Sequence, residues 1–404
     1  MRVVLCCAAV PLSVCVIASL AGCRAPTVPG AGQSAEGPDA RGSPQTPAAQ
    51  PATASLPPET KVDLPKAASP SAPRGRLTLA WTFPGQWAGL AADPAGDALY
   101  AHGFDGLVKL EADGKKAATL EPPRDPRREG ARAFFVMENL IRAGNLDDDG
   151  EPEFVTFGSW GHAVSAIDDD GRDLWTYAGP DTGTDDVWVT DLDGDGRDEV
   201  IIGYNGGGGL HVADSNGETR WSRTDLGNCW HVCGGDADGD GKAEVLSTDA
   251  RGSVYVFAAD GTPRSVLAAT AYANMVRVTR PSPEAPPLIV GAGDVGSAAG
   301  DSGALFGFTF DAKAQWSTAP PAETVDHIVE AQVAPGRPWL AALNRRKTDR
   351  WDILVLDTRN GELLAMDAVP DAQSGLAWVT PKGDGEPMLA VTTSNGVSAF
   401  RLVL

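Results

Sequence analysis

Residues 186–221 read DVWVTDLDGDGRDEVIIGYNGGGGLHVADSNGETRW, and residues 230–261 read WHVCGGDADGDGKAEVLSTDARGSVYVFAADG. Both pass through the same series: a short apolar run, an acidic loop, a second apolar run, a turn, and a third apolar run. A two-residue turn, Asn216-Gly217 or Asp260-Gly261, then leads into a fourth run. Apolar runs of this length, rich in β-branched residues and divided by Gly, Asp and Asn, read as strands, and such dipeptides read as hairpin turns. The acidic loops begin at Asn145, Asp191 and Asp236, spaced by 46 and 45 residues. Four short strands in a repeat of this length are the signature of a propeller blade. From Arg76 onward no long helical period interrupts the pattern. Counting outward places blades near 87–131, 132–184, 185–228, 229–275, 276–325 and 326–375. The last piece, 376–404, supplies only three strands, and the missing fourth lies at the other end, in Leu77–Phe83. That segment matches the fourth strands at Leu174–Tyr177 and Gln315–Ser317. The expectation is an all-β propeller over residues 76–404, with seven four-stranded blades closed by the N-terminal strand. Closure removes the free sheet edges that invite aggregation.

The three acidic loops share one chemistry. Oxygen-bearing side chains stand at positions one, three, five and nine: Asn145, Asp147, Asp149, Glu153; Asp191, Asp193, Asp195, Glu199; and Asp236, Asp238, Asp240, Glu244. Glycine stands at position six, where a sharp turn needs its freedom. Position seven (Glu151, Arg197, Lys242) would offer its backbone carbonyl. Alternating carboxylates on a tight turn suit calcium, which takes six to eight oxygens in a flexible cage, better than magnesium with its strict octahedron. An EF-hand would place Glu at position twelve, where this chain has Thr156, Ile202 and Ser247. Decayed copies follow at 382–388, 93–96 and 335–338, and Asp168–Gly171 reads as a hairpin turn. On these loops, over residues 139–257, the chain resembles the FG-GAP or VCBS repeat family, calcium-loop propellers that include the integrin alpha-subunit head. The resemblance implies up to three structural Ca2+ ions in the loops joining the first and second strands of three blades.

The ends carry a separate message. Arg2 followed by an apolar stretch from Val3 to Leu20 has the layout of a secretory signal. It runs into Leu20-Ala21-Gly22-Cys23, which resembles the bacterial lipobox. The resemblance implies removal of residues 1–22, lipidation of Cys23 and, with Arg24 next, an outer-membrane destination. Residues 23–75, poor in aromatic and large aliphatic side chains, read as a disordered tether between that anchor and the ring. Cys229 and Cys233 are the cysteines left in the mature ring. Four residues apart on a strand, about 13 Å, they are too distant for a disulfide unless the strand is bent. With His231 between them they are two small buried side chains or, less simply, a soft-metal site. The formal charge of -21 argues against nucleic acid.

Function divides into three classes: a binding or scaffold module for a protein or glycan, an outer-membrane assembly factor, and an enzyme. The face opposite the acidic loops offers Trp160, His162, Asp186, Tyr204, Trp230, His231 and His327 as a possible ligand face. Packing of the blade tops would use the same residues. The Trp-bearing turns at 166–175 and 213–221 resemble the repeat of quinoprotein dehydrogenases, but the adjacent Cys pair that many of those carry occurs here only at Cys6-Cys7, inside the signal. A polysaccharide-acting enzyme is the other catalytic alternative. No nucleophile-elbow pattern is present, and the expectation is a monomeric, non-catalytic module.

Overall fold

The computed structural model describes residues 54–67, 72–103, 106–120, 139–147, 149–158, 163–270, 273–293, 305–319, 327–345, 351–383 and 385–404. The signal and Cys23 lie outside them. The sheets form seven blades, each an antiparallel meander. The strands of blades 1 to 6 fall within residues 87–120, 139–177, 184–223, 229–269, 273–318 and 327–368. Blade 7 pairs the strands of residues 372–403 with Arg76–Pro84, whose Arg76 stands opposite Val403 and whose Pro84 stands opposite Gly396. This is the closure expected from the sequence. Blade 7 starts earlier than expected, at Ala372, because an irregularity between Ala372 and Leu376 takes up the extra residues. First strands of adjacent blades contact one another all round the ring, so they line its centre.

The core is not one mass but seven, one at each seam between neighbouring blades. A sheet covered on both faces needs apolar residues at consecutive positions rather than alternating ones. The second strands obey this: Glu199–Tyr204 and Met388–Thr393 are buried at every residue. A tryptophan clasp recurs at four of the seams. The fourth-strand Nε1–H groups of Trp81, Trp175, Trp221 and Trp316 donate to the carbonyls of Ala112, Ser215, Ala259 and Thr358 in the next blade's hairpin turn, at 2.8 to 2.9 Å. Each indole lies flat against a turn glycine. At Gly217, φ is 78° and an added Cβ would sit 2.6 Å from Trp175. The Trp-bearing turns therefore act as interblade clasps.

One stretch of the expected tether belongs to the ring. Thr60–Val62 adds a parallel fifth strand to the outer edge of blade 4, opposite Leu267–Ala269. Val62 is fully buried, and Leu56 and Leu64 pack against the seam cores on either side of that blade. The Thr270 N–H donates to the Val62 carbonyl at 3.0 Å. These three aliphatic side chains distinguish 54–67 from the Pro- and Ala-rich residues before it.

Candidate metal centre

The acidic loops occupy the corner between the first and second strands of blades 2, 3 and 4, as their spacing requires. One hydrogen-bond scaffold is built three times. The N–H at position five is held by the position-three carboxylate: Asp149 to Asp147, Asp195 to Asp193, Asp240 to Asp238, at 3.0 to 3.2 Å. The position-seven N–H of Glu151, Arg197 and Lys242 donates to the position-five carboxylate at 2.8 to 2.9 Å. Glycine at position six has φ of 93°, 95° and 88° at Gly150, Gly196 and Gly241, and no atom lies near where a Cβ would sit. Glycine is needed there for conformation and not for space.

The position-nine glutamates begin the second strands and are buried: Glu153, Glu199 and Glu244 are 0%, 3% and 1% exposed. One oxygen of each accepts the position-two N–H, from Leu146, from Leu192 at 2.9 Å and from Ala237 at 2.9 Å. The other oxygen has no partner at Glu153 among the described residues, whereas at Glu199 Arg220 takes it at 2.7 Å. Ligand atoms of Asp147, Asp149 and Glu153 lie within 4.8 Å of one another, as do those of Asp191, Asp193 and Glu199, and of Asp236, Asp238 and Glu244. Each trio could hold a metal ion. Position five joins the cluster only in blade 2; in blades 3 and 4 position one takes its place, and Asp195 and Asp240 stay outside. Burial pushes the Glu153 carboxyl up to about 7, with Asp147 and Asp149 adding repulsion. Burial likewise raises Glu199 and Glu244. Two buried acceptors in the blade 2 loop, Asn145 Oδ1 and Glu153 Oε1, have no hydrogen-bond partner among the described residues. Such atoms are costly unless something binds them.

Some of the charge around these loops was not anticipated. Arg220 pairs with both Asp193 and Glu199 at 2.7 Å; Arg264 pairs with Asp238 at 2.5 Å and Arg280 with Asp236 at 3.0 Å. Arg220 and Arg264 follow their loop starts by 29 and 28 residues, a repeat signal visible in the sequence. The turn at Asp168 is the expected hairpin, with the Gly171 N–H donating to the Asp168 carbonyl at 2.9 Å. Its Asp168 and Asp169 nevertheless come within 4.8 Å of Asp149. The loops are also joined laterally: Asn145 Nδ2 donates to the Gly196 carbonyl at 2.6 Å, and the Asn145 N–H to Asp198 at 2.7 Å.

The expected ligand face is not brought together as a set. Trp160 and His162 lie outside the described residues, and His327 opens the strand His327–Val333. Tyr204 is not a face residue: its side chain is fully buried in the seam between blades 2 and 3, because its strand is covered on both sides. Asp186 is also withdrawn, its carboxylate held by the Val187 and Val232 N–H groups, His231 and Arg142. Burial alone would raise it, but His231, Arg142 and Arg277 together hold it well below the usual carboxylate range. It belongs to a chain of charge along the ring axis. Arg142 reaches Asp186 and Glu330 at 3.2 and 3.3 Å, and the buried Arg277 reaches Glu330 at 2.8 Å. Single charges on first strands of separate blades gave no local motif for this. Trp230 stays half-buried beside Asn228, whose carboxamide, with its O and N exchanged, accepts from the indole N–H (2.6 Å) and donates to Asp185 (3.2 Å). Asn205 donates to the other Asp185 oxygen at 3.3 Å. Cys229 and Cys233 are free and buried, and burial pushes both thiols up to about 12. His231 turns its Nδ1 to Asp186, and among the described residues no metal-ligating cluster includes either cysteine.

Comparison with known proteins agrees with this architecture. Residues 191–247 match the FG-GAP-like repeat model. The fold is similar to that in a crystal structure of BBS1N in complex with ARL6DN, at 12% identity and a TM-score of 0.55, covering 82% of this chain and 98% of that one. It is similar to a chain of the mitotic checkpoint complex at 13% identity and a TM-score of 0.53, covering 84% and 97%. The Dos1 propeller matches at 12% identity and a TM-score of 0.50, covering 80% and 94%. No curated protein matches the chain. Residues 191–247 hold the second acidic loop and end just past the third, so the matched segment is the one built around these corners. The chain is a seven-bladed β-propeller that is similar to the FG-GAP-like repeat over residues 191–247.

Proposed function

We propose that this propeller is a calcium-stabilised binding or scaffold module, held at the cell envelope by a lipid on Cys23, most simply at the outer membrane. The observation that carries the calcium part is the pair of buried, partnerless oxygens, Asn145 Oδ1 and Glu153 Oε1, in a loop whose carboxylates already converge. A divalent cation would satisfy both and relieve the mutual repulsion of Asp147, Asp149 and Glu153. Asn145, Asp147, Asp149 and Glu153 would hold it, with equivalent sets from Asp191 and Asp236. The ions would be structural, since they sit at strand corners in three consecutive blades.

A protein or glycan ligand fits the opposite face best. Asp185, Asn205, Asn228 and Trp230 form a half-exposed polar ledge at the seam of blades 3 and 4. Burial pushes Asp185 up to about 6. An aromatic ring beside carboxamides and a carboxylate suits hydroxyl-rich or peptide ligands. Catalysis has less support, because the Trp-bearing turns serve as clasps between blades. The test is a glycan array and an envelope pull-down with the calcium-loaded chain, in parallel with metal analysis of the purified protein. A ligand retained by the wild type and lost on Trp230→Ala supports the module. Turnover of an alcohol with added quinone would replace it with an enzyme.

A further inference from the structure

The three loops share a backbone scaffold but not a neighbourhood. In blades 3 and 4 a fourth-strand arginine reaches into the carboxylate cluster. Arg220 binds Asp193 and Glu199, and Arg264 binds Asp238. Blade 4 adds Arg280 on Asp236. Register fixes what blade 2 has instead. Trp175 pairs with Ala166 as Trp221 pairs with Val212, so the residue before each tryptophan is equivalent: Arg220 in blade 3, Leu174 in blade 2. Leu174 is 37% exposed and carries no charge. Among the described residues, no lysine or arginine makes an ion pair with Asp147, Asp149 or Glu153. Lys109 goes to Glu151 and Asp93, and Arg172 goes to Asp168 and Asp170. The blade 2 loop is also where Glu153 Oε1 is left partnerless, whereas the matching oxygen of Glu199 is the one Arg220 takes.

We propose that the loops form a graded set, resting on the calcium reading above. The blade 2 loop depends on an external divalent cation and binds it first. In blades 3 and 4 the chain supplies its own cation, so a metal ion must displace Arg220 or Arg264 before the carboxylates can enclose it. A guanidinium satisfies two carboxylates through fixed donors but cannot gather six oxygens as calcium does. The arginine arms lower the affinity of those two sites and also lower their need for metal.

The experiment is calorimetric titration of calcium chloride into the chelator-stripped full chain, with wild type, Arg220→Leu and Leu174→Arg compared. Both substitutions lie on a blade's outer strand, and thermal melts of the stripped proteins check folding independently. Wild type should show one tight site and others at least tenfold weaker. R220L should bring a second site to within about threefold of the first, and should lower the melting temperature of the stripped protein. L174R should weaken the tight site at least tenfold and raise the stripped protein's melting temperature. Three equal sites in wild type, or a weak site unchanged by R220L, would overturn the grading alone. No calcium bound by any of the three proteins would overturn the calcium reading and the grading with it.

Discussion

Replacing Glu153 by Gln should stabilise the protein in chelator and destabilise it in calcium. The side chain is fully buried, one oxygen accepts the Leu146 N–H, and the other has no donor. Burial lifts its pKa from an ordinary 4.5 to about 7. A carboxyl whose folded pKa is raised contributes stability below its unfolded pKa, and that contribution is lost as pH rises through the folded value. At pH 8 without metal, the ionised Glu153 would therefore cost about 3 kcal/mol, reduced to about 2 kcal/mol by partial solvent screening. Gln keeps an oxygen for Leu146 and removes the charge. At roughly 2 °C per kcal/mol for a domain of this size, E153Q should melt about 4 °C above wild type in chelator at pH 8. The advantage should shrink as pH falls toward 4.5. In calcium at a hundredfold excess over its dissociation constant, wild type gains about 2.7 kcal/mol from this site, and E153Q should lose most of that gain and melt below wild type. Calorimetric scans in both conditions at pH 8 and pH 5 measure this. A change of equal size with and without calcium would show that the Glu153 charge serves no metal ion, and the metal argument for this loop would fail.

Chelator alone should lower the wild-type melting temperature by several degrees, and metal analysis should recover calcium from protein purified without chelator; an unchanged melt with no metal would contradict the proposal. Gly196→Ala should cost about 1 to 2 kcal/mol in a urea titration, because φ at Gly196 is 95° although nothing crowds the position. Arg277→Met should cost about 3 kcal/mol by leaving Glu330 with only part of its counter-charge, and adding Glu330→Gln should restore some of the loss. Neither Cys229 nor Cys233 should react with a thiol reagent at pH 8 until the ring unfolds, since both are buried and their thiols are pushed up to about 12.

What could be read from the sequence was whatever repeats. The acidic loops, the Asn216-Gly217 and Asp260-Gly261 turns and the fourth-strand tryptophans recur at a fixed interval, so the blades and the loop corners followed, and so did the closing strand at 77–83. What could not be read was whatever is singular. Arg142, Asp186, Arg277 and Glu330 meet on the axis because seven first strands converge there, and no interval along the chain announces it. Tyr204 stands beside a Gly-rich turn and invites a place on the surface, but the next blade covers it. Thr60–Val62 is three residues in a long biased segment, too short for periodicity to register. The difference between Leu174 and Arg220 needed the register of two blades to acquire meaning.

The closing strand has a consequence for biosynthesis. Apart from the added edge strand Thr60–Val62, Arg76–Pro84 leaves the ribosome first among the ring strands, and its partner Gly396–Val403 leaves last. Thr78 Oγ1 donates to the Arg401 carbonyl across 323 residues of chain. At the usual pace of translation, about 5 to 20 residues per second, the first strand waits tens of seconds with Leu79, Trp81 and Phe83 unpaired. Six blades can assemble in that interval, but the ring stays an open horseshoe with a bare edge at each end. The nascent protein should therefore depend on a holding chaperone more than its finished, closed form suggests, and moving that strand to the C-terminus by circular permutation should relieve the dependence.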